Sequence, residues 1–224
     1  MPARFLGPLT AAVVALWVGS AGAAGFGVYG GGAAGDVWDF WGQDVTTRHS
    51  EFGLVLDTTV ARSSVFGYRL QVGYDHLTAT ADAGIWDLES DANLKGVVWD
   101  NTFGFRLFQA PSVRLWLGPQ VRFARYWGHA EYDDGAGGKQ RTKVRLSTFG
   151  VGPAVGVNWN LRGGPTVALT GGWRVTFYNG SERPEDSESW GGSDYEDFAE
   201  GLWFVQLSLL YRFGDDGSPL PANP

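Results

Sequence analysis

Cysteine is absent from the 224 residues, which excludes a disulfide framework and any zinc site built on thiolates. A spanning helix is missing too: the apolar stretch LTAAVVALWV near the start falls short of the ~20 residues that a helix needs to cross a bilayer. Basic clusters are absent from the chain as written, and 17 Lys+Arg stand against 24 Asp+Glu for a formal net charge of -7. That balance repels polyanions, so nucleic acid is not an expected partner. The glycines lack a following GK[ST] and a strand-to-helix context, which removes the phosphate-cradling nucleotide loops. No segment repeats apolar residues at helical spacing.

What is abundant points to β structure. The chain carries 34 glycines, 11 tryptophans, 14 phenylalanines and 8 tyrosines, where ordinary domains hold about 7% Gly and far fewer Trp. Residues 1–23 read as a secretory signal, with Arg4 as the positive start, the apolar run next, and Ala21-Gly22-Ala23 as a small-residue cleavage site. An exported chain without cysteine has to hold its fold by hydrogen bonds and packing alone.

Past Ala24 apolar and polar residues alternate repeatedly. In FGYRLQVGYD, Phe66, Tyr68, Leu70, Val72 and Tyr74 share one face, opposite Gly67, Arg69, Gln71, Gly73 and Asp75. LWFVQLSLLYRF, residues 202–213, does the same, with Trp203, Val205, Leu207, Leu209, Tyr211 and Phe213 on the apolar side. The period predicts eight strands, at roughly 25–34, 50–61, 66–80, 93–108, 113–131, 143–161, 166–179 and 199–213. Three connections are short (RSSV, QAPS, RGGP) and alternate with four long polar ones.

An even number of strands joined alternately by short and long connections is the pattern of an outer-membrane barrel, with short turns at the periplasm and loops outside. Lipid offers no partner to a strand edge, so a sheet crosses a bilayer only when it closes on itself. The expected fold is therefore all-β, an eight-stranded antiparallel up-and-down transmembrane barrel over residues 24–213. The Pro-rich, polar residues 214–224 read as a disordered periplasmic tail. A soluble barrel with the same faces would turn its nearly uncharged side into water as a large sticky surface.

Two further sets follow from parity. Tyr74, Trp99, Trp127, Phe177 and Trp203 fall near the outer end, and Phe66, Tyr68, Phe105, Trp159, Tyr211 and Phe213 near the periplasmic end, as two interfacial aromatic girdles. Asp57, Arg69, Asp75, Asp100, Arg106, Arg114, Arg122, Arg174 and Arg212 lie on the inward side, where a low dielectric demands that charges be paired. They read as an ion-pair and hydrogen-bond network filling a lumen that eight strands leave too narrow for an open pore.

With these residues in view the chain resembles the small outer-membrane barrels of the OmpA-transmembrane, OmpX and opacity-protein type, over nearly all of residues 25–213. Its closing strand looks like the family's barrel-insertion signal: Phe213 with Tyr211, Leu209 and Leu207 at two-residue steps before it. In that family the aromatic is usually the last residue, whereas here GDDGSPLPANP follows. The resemblance implies a monomer in the bacterial outer membrane, in contact with membrane lipid and lipopolysaccharide, and inserted by the barrel-assembly machinery. It implies no cofactor and no metal.

Small barrels of this kind include lipid A enzymes. A hydrolase needs a nucleophile beside a His oriented by an acid. His49-Ser50-Glu51 puts the residue types in sequence, but consecutive strand residues point to opposite faces. His76 and Thr78 have the spacing with a poorer nucleophile. His129 and Glu131 share a face, with Ser147 on the next strand, and are the first residues to test for catalysis. No catalytic set is assigned. The fourth long connection, NGSERPEDSESWGGSDYEDF, is acidic, with Glu182, Glu185, Asp186, Glu188, Asp194, Glu196 and Asp197 against Arg183. The second adds Asp82, Asp87, Glu89 and Asp91. Trp86 and Trp190 at loop tips mark these acidic loops as a face for a surface ligand. The sequence thus leads to a non-enzymatic surface barrel, with a lipid A-modifying enzyme and a narrow solute pore as alternatives.

Overall fold

Eight strands follow one another in a computed structural model that describes residues 23–38, 44–58, 65–82, 90–133, 139–184 and 194–214. They are β1 Ala23–Trp38, β2 Asp44–Asp57, β3 Phe66–Asp82, β4 Ser90–Gln109, β5 Val113–Asp133, β6 Lys139–Asn160, β7 Pro165–Pro184 and β8 Asp194–Gly214. Each pairs antiparallel with the next, and β8 returns to β1 from Gly214↔Ala23 to Ala199↔Trp38, closing the ring. Closure leaves every strand with two neighbours, which is the condition for a sheet in lipid.

Alternation decides which side each residue takes. On β6 the outward residues from Phe149 to Trp159 are Phe, Val, Pro, Val, Val and Trp, while Ala154, Gly156 and Asn158 are buried between them. That apolar stretch matches the ~10 residues a tilted strand needs to cross a bilayer. Before it the outward residues are Arg141, Lys143, Arg145 and Ser147, so the strand continues past the membrane with a polar outer face, while Val144 and Leu146 stay buried inside.

This extension explains where the sequence boundaries miss. β1, β2, β4, β6, β7 and β8 all reach further at the loop end than alternation indicates; β2 starts at Asp44 and β7 runs to Pro184. Glu182, Arg183, Asp194, Glu196 and Asp197, expected in a loop, are therefore strand residues, with side chains outside the described residues. Above the lipid no face needs to be apolar, so the ladder persists without its sequence signal. At the other end β2 stops at Asp57 rather than 61, and the Thr58 hydroxyl takes over the pairing. Its Oγ1 accepts from the Tyr68 N–H at 2.7 Å and donates to the Tyr68 carbonyl at 2.9 Å. A bulge between Arg106 and Phe108 leaves both Leu107 and Phe108 exposed, where simple alternation expects only Leu107. The RGGP turn uses Gly163 and Gly164 at φ 83° and 105°, a region that favours glycine.

Residues 1–22, holding most of the signal assignment, and 215–224, holding the expected tail apart from Gly214, which instead ends β8 paired with Ala23, lie outside the described residues, as do Trp86, Asp87, Glu89, Glu185, Asp186, Glu188 and Trp190.

Inside, glycines on one strand make room for large side chains on the next. A Cβ at Gly156 would collide with the Trp116 ring, one at Gly96 with Tyr126, and one at Gly172 with Phe204. Tyr29 fills the space beside both Gly53 and Gly73. Through these fittings a ring on one strand occupies the space that a glycine leaves on another.

Candidate functional site: the lumen network

The bore contains two polar layers. In the layer nearer the short turns Arg69 on β3 holds Asp57 on β2, its Nε lying 2.8 Å from Oδ2. The same guanidinium reaches Asn158 on β6 at 3.2 Å and bonds Thr170 on β7. Its Cζ lies 5.2 Å from the centre of the Trp116 ring, whose Nε1 donates to Asn158 at 3.3 Å. In a ring of eight strands β7 stands opposite β3, so one side chain crosses the full bore.

Arg122 on β5 is the hub of the layer nearer the loops. Its Nη1 lies 2.6 Å from Glu51 and 2.9 Å from Asp100, and its Nη2 lies 2.8 Å from Asp75. These partners come from β2, β4 and β3. Arg174 on β7 donates to Gln120 at 3.1 Å, stands 3.8 Å from Asp100, and covers the Phe204 ring at 5.2 Å. Four buried carboxylates, Glu51, Asp75, Asp100 and Glu200, thus face two guanidiniums. Low dielectric penalises that imbalance unless hydrogen bonds satisfy the acids. Tyr126 donates to Asp75 at 2.6 Å, Gln206 to Glu51 at 2.6 Å, and Tyr178 to Glu200, while His49 Nδ1 sits 2.8 Å from Asp75.

Of the nine charged residues expected in the lumen, seven are buried there: Asp57, Arg69, Asp75, Asp100, Arg114, Arg122 and Arg174. Arg106 and Arg212 are half-buried at the turn end. Arg106 donates to Gln109 at 2.5 Å, and Arg212 to the Gly164 and Leu161 carbonyls at 3.0 and 2.8 Å. The sequence reading left His49, Glu51, Glu200, Tyr126 and Tyr178 out of this network. All five share inward parity with a charge the sequence assigned to the lumen, His49 and Glu51 with Asp57, Tyr126 with Arg122, Tyr178 with Arg174 and Glu200 with Arg212, and that parity is the signal that would have found them.

The aromatic residues assigned to the girdles point outward. Trp99, Trp127, Phe177, Trp203, Phe105, Trp159 and Tyr211 are exposed, and Tyr74, Phe66 and Tyr68 half-exposed. The side chain of Phe213 lies outside the described residues, while its backbone pairs with Ala24. Leu207 and Leu209, the other residues of the insertion signal, also face out. On the same outward surface the Tyr68 hydroxyl donates to Asn101 at 2.6 Å, satisfying a polar group inside the apolar band.

The candidate catalytic residues do not assemble. His129 stands across from Lys143, Glu131 from Arg141 at 3.8 Å, and Ser147 from Arg125, so Ser147 is not beside His129. His49 and Glu51 point inward while Ser50 is exposed, and outward His76 meets Asn93 at 2.9 Å. Among the described residues no group of His, Asp and Glu is arranged to hold a metal ion.

No family model matches the chain, and no curated protein matches it. Solved structures do. The outer membrane protein OprG from Pseudomonas aeruginosa is 13% identical, with 86% of this chain and 95% of that one covered at a TM-score of 0.52. A major outer membrane protein from Thermus thermophilus is 15% identical over 85% of this chain and 99% of its own, at 0.47. Neisserial surface protein A is 15% identical over 86% and 99%, at 0.43. The likeness to OprG shows the fold, that of an outer-membrane β-barrel.

Proposed function

We propose that this chain is an integral outer-membrane protein whose barrel is a closed, non-conducting anchor, and whose working face is the loop end outside the cell. The observation that carries the reading is the bore itself: Arg69 and Arg122 reach across it to three or more other strands, so its centre is occupied by ion pairs rather than by free passage. An eight-stranded barrel leaves no spare width beside them. The outward face supports the location, because an apolar band flanked by aromatics suits a bilayer and not water. Lipid, the barrel-insertion machinery and a ligand at the loops are the partners in this reading, with the barrel acting as a monomer.

A narrow passage for protons or water is the second reading. It is favoured by buried polar atoms without a hydrogen-bond partner among the described residues, including both amide atoms of Gln71, Gln206 Oε1 and Asp75 Oδ1. Such atoms are usually satisfied by water.

Planar-bilayer recording on the purified barrel tests both. The closed reading expects no ionic steps, and steps in an Arg69→Ala, Arg122→Ala double variant that still gives a heat-shifted folded band. Ionic steps in the parent protein would overturn it, and a proton leak without ionic steps would establish the second reading.

A further inference from the structure

Just beyond the apolar band, one sector of the outer wall gathers cations that the sequence scatters over three strands. Trp127 on β5 is at its centre. In register it stands across from Lys95 on β4 and Arg145 on β6. Arg125 and His129 flank it two residues along the same face of β5, and Lys143 stands across from His129. Cross-strand neighbours have Cβ atoms about 5 Å apart and next-but-one residues on a strand about 7 Å. Five potential cations therefore ring one exposed indole. Lys95, Arg125 and Arg145 are exposed, and Lys143 and His129 half-exposed. Among the described residues no carboxylate forms an ion pair with Lys95 or Arg125.

The rest of the ring differs at this height. Its outward residues are Ala34 and Asp36 on β1, Ser50 and Arg48 on β2, His76 and Thr78 on β3, Asn179 and Ser181 on β7, and Gly201 on β8. Further from the apolar band the same face turns mixed, with Glu131 across from Asp91 on one side and Arg141 on the other, so among the described residues only the edge of the band gathers cations without acids.

We infer that this sector binds the headgroup of a lipid bearing more than one phosphate in the outer leaflet. Guanidinium and ammonium groups are the natural donors to phosphate oxygens. A lipid is the source that fits the setting. Directly below the cations lie Phe123 and Phe149, 5.3 Å apart, with Trp99 on β4, an apolar surface on which the acyl chains of the same molecule lie. Free phosphate would gain nothing from that surface. The inference rests on the loop-outward orientation given above, but not on whether the bore conducts.

The test is binding of bisphosphorylated lipid A to the purified barrel in neutral detergent micelles, read by native mass spectrometry. Dephosphorylated lipid A and inorganic phosphate serve as competitors. At about fivefold per cation, an Arg125→Ala, Arg145→Ala double variant is expected to bind about 25-fold more weakly. Lys95→Ala alone should give about fivefold, and serves if the double variant loses its heat-shifted folded band. Arg48→Ala, outside the sector, should bind as the parent does, and neither competitor should displace the lipid. Unchanged binding in the sector variants, an equal loss in Arg48→Ala, or displacement by inorganic phosphate would each overturn the inference. A silent bilayer recording alongside any of these would leave the closed-anchor reading intact.

Discussion

Along β8, Trp203, Val205, Leu207, Leu209 and Tyr211 are 56 to 70% exposed, while Leu202, Phe204, Gln206, Ser208 and Leu210 between them are at most 2% exposed. Over residues 202–211 the polar groups Gln206 and Ser208 lie on the buried side, among Leu202, Phe204 and Leu210, and the exposed side is apolar. A soluble barrel has the reverse arrangement. The contrast shows that burial of apolar surface is only part of what holds this bore together: outside, the apolar residues go into lipid, and inside, ion pairs and fitted rings stand beside an apolar cluster of Leu77, Leu94, Val98, Val144 and Leu146. The two faces should therefore fail to opposite kinds of substitution.

The largest effect is expected inside. Arg122→Leu would leave Glu51, Asp75 and Asp100 facing one another without their shared cation. A loss of ~3–5 kcal/mol is expected, measured as urea unfolding from lipid vesicles. A conservative-looking apolar residue is thus the damaging one on this side. On the other face the logic inverts, and Leu207→Arg, midway between Trp203 and Tyr211, should cost ~2–4 kcal/mol in the same assay. A finer test is Tyr68→Phe, which removes the donor to Asn101 and leaves an unpaired polar group in the apolar band. It should cost about 1–3 kcal/mol, largely recovered when Asn101→Leu is added. Smallest of all is His129→Ala, expected to shift stability by less than about 0.5 kcal/mol and to leave the lipid A species of expressing cells unchanged.

The faces were legible in the sequence because a strand with lipid on one side must alternate, and Phe66 to Asp75 or Trp203 to Phe213 show this residue by residue. The lumen was legible only in part. Arg69 and Arg122 stand out as charges in apolar company, but His49 and Glu51 sit where β2 leaves the membrane and both faces turn polar, so parity lost its contrast there. Tyr126 and Tyr178 were hidden for another reason: an aromatic in such a chain reads as a lipid-facing residue, although Tyr126 shares the parity of Arg122 and Tyr178 that of Arg174, and the glycine opposite, Gly96 beside Tyr126, also marks the ring as inward. The cationic sector around Trp127 was invisible for a third reason. Lys95, Arg125 and Arg145 are distant in sequence, and only the register across β4, β5 and β6 brings them together.

Because the chain contains no cysteine, single cysteines can be placed in turn at positions 203 to 210 and each protein reconstituted in vesicles. The most direct measurement is the rate at which each thiol reacts with a water-soluble and with a lipid-soluble maleimide. Thiols at 203, 205, 207 and 209 are expected to react with the lipid-soluble reagent alone, and those at 204, 206, 208 and 210 with neither until the barrel is unfolded. Odd positions reacting freely with the water-soluble reagent, or rates without a period of two, would contradict a barrel that turns its apolar face to lipid and its charges inward.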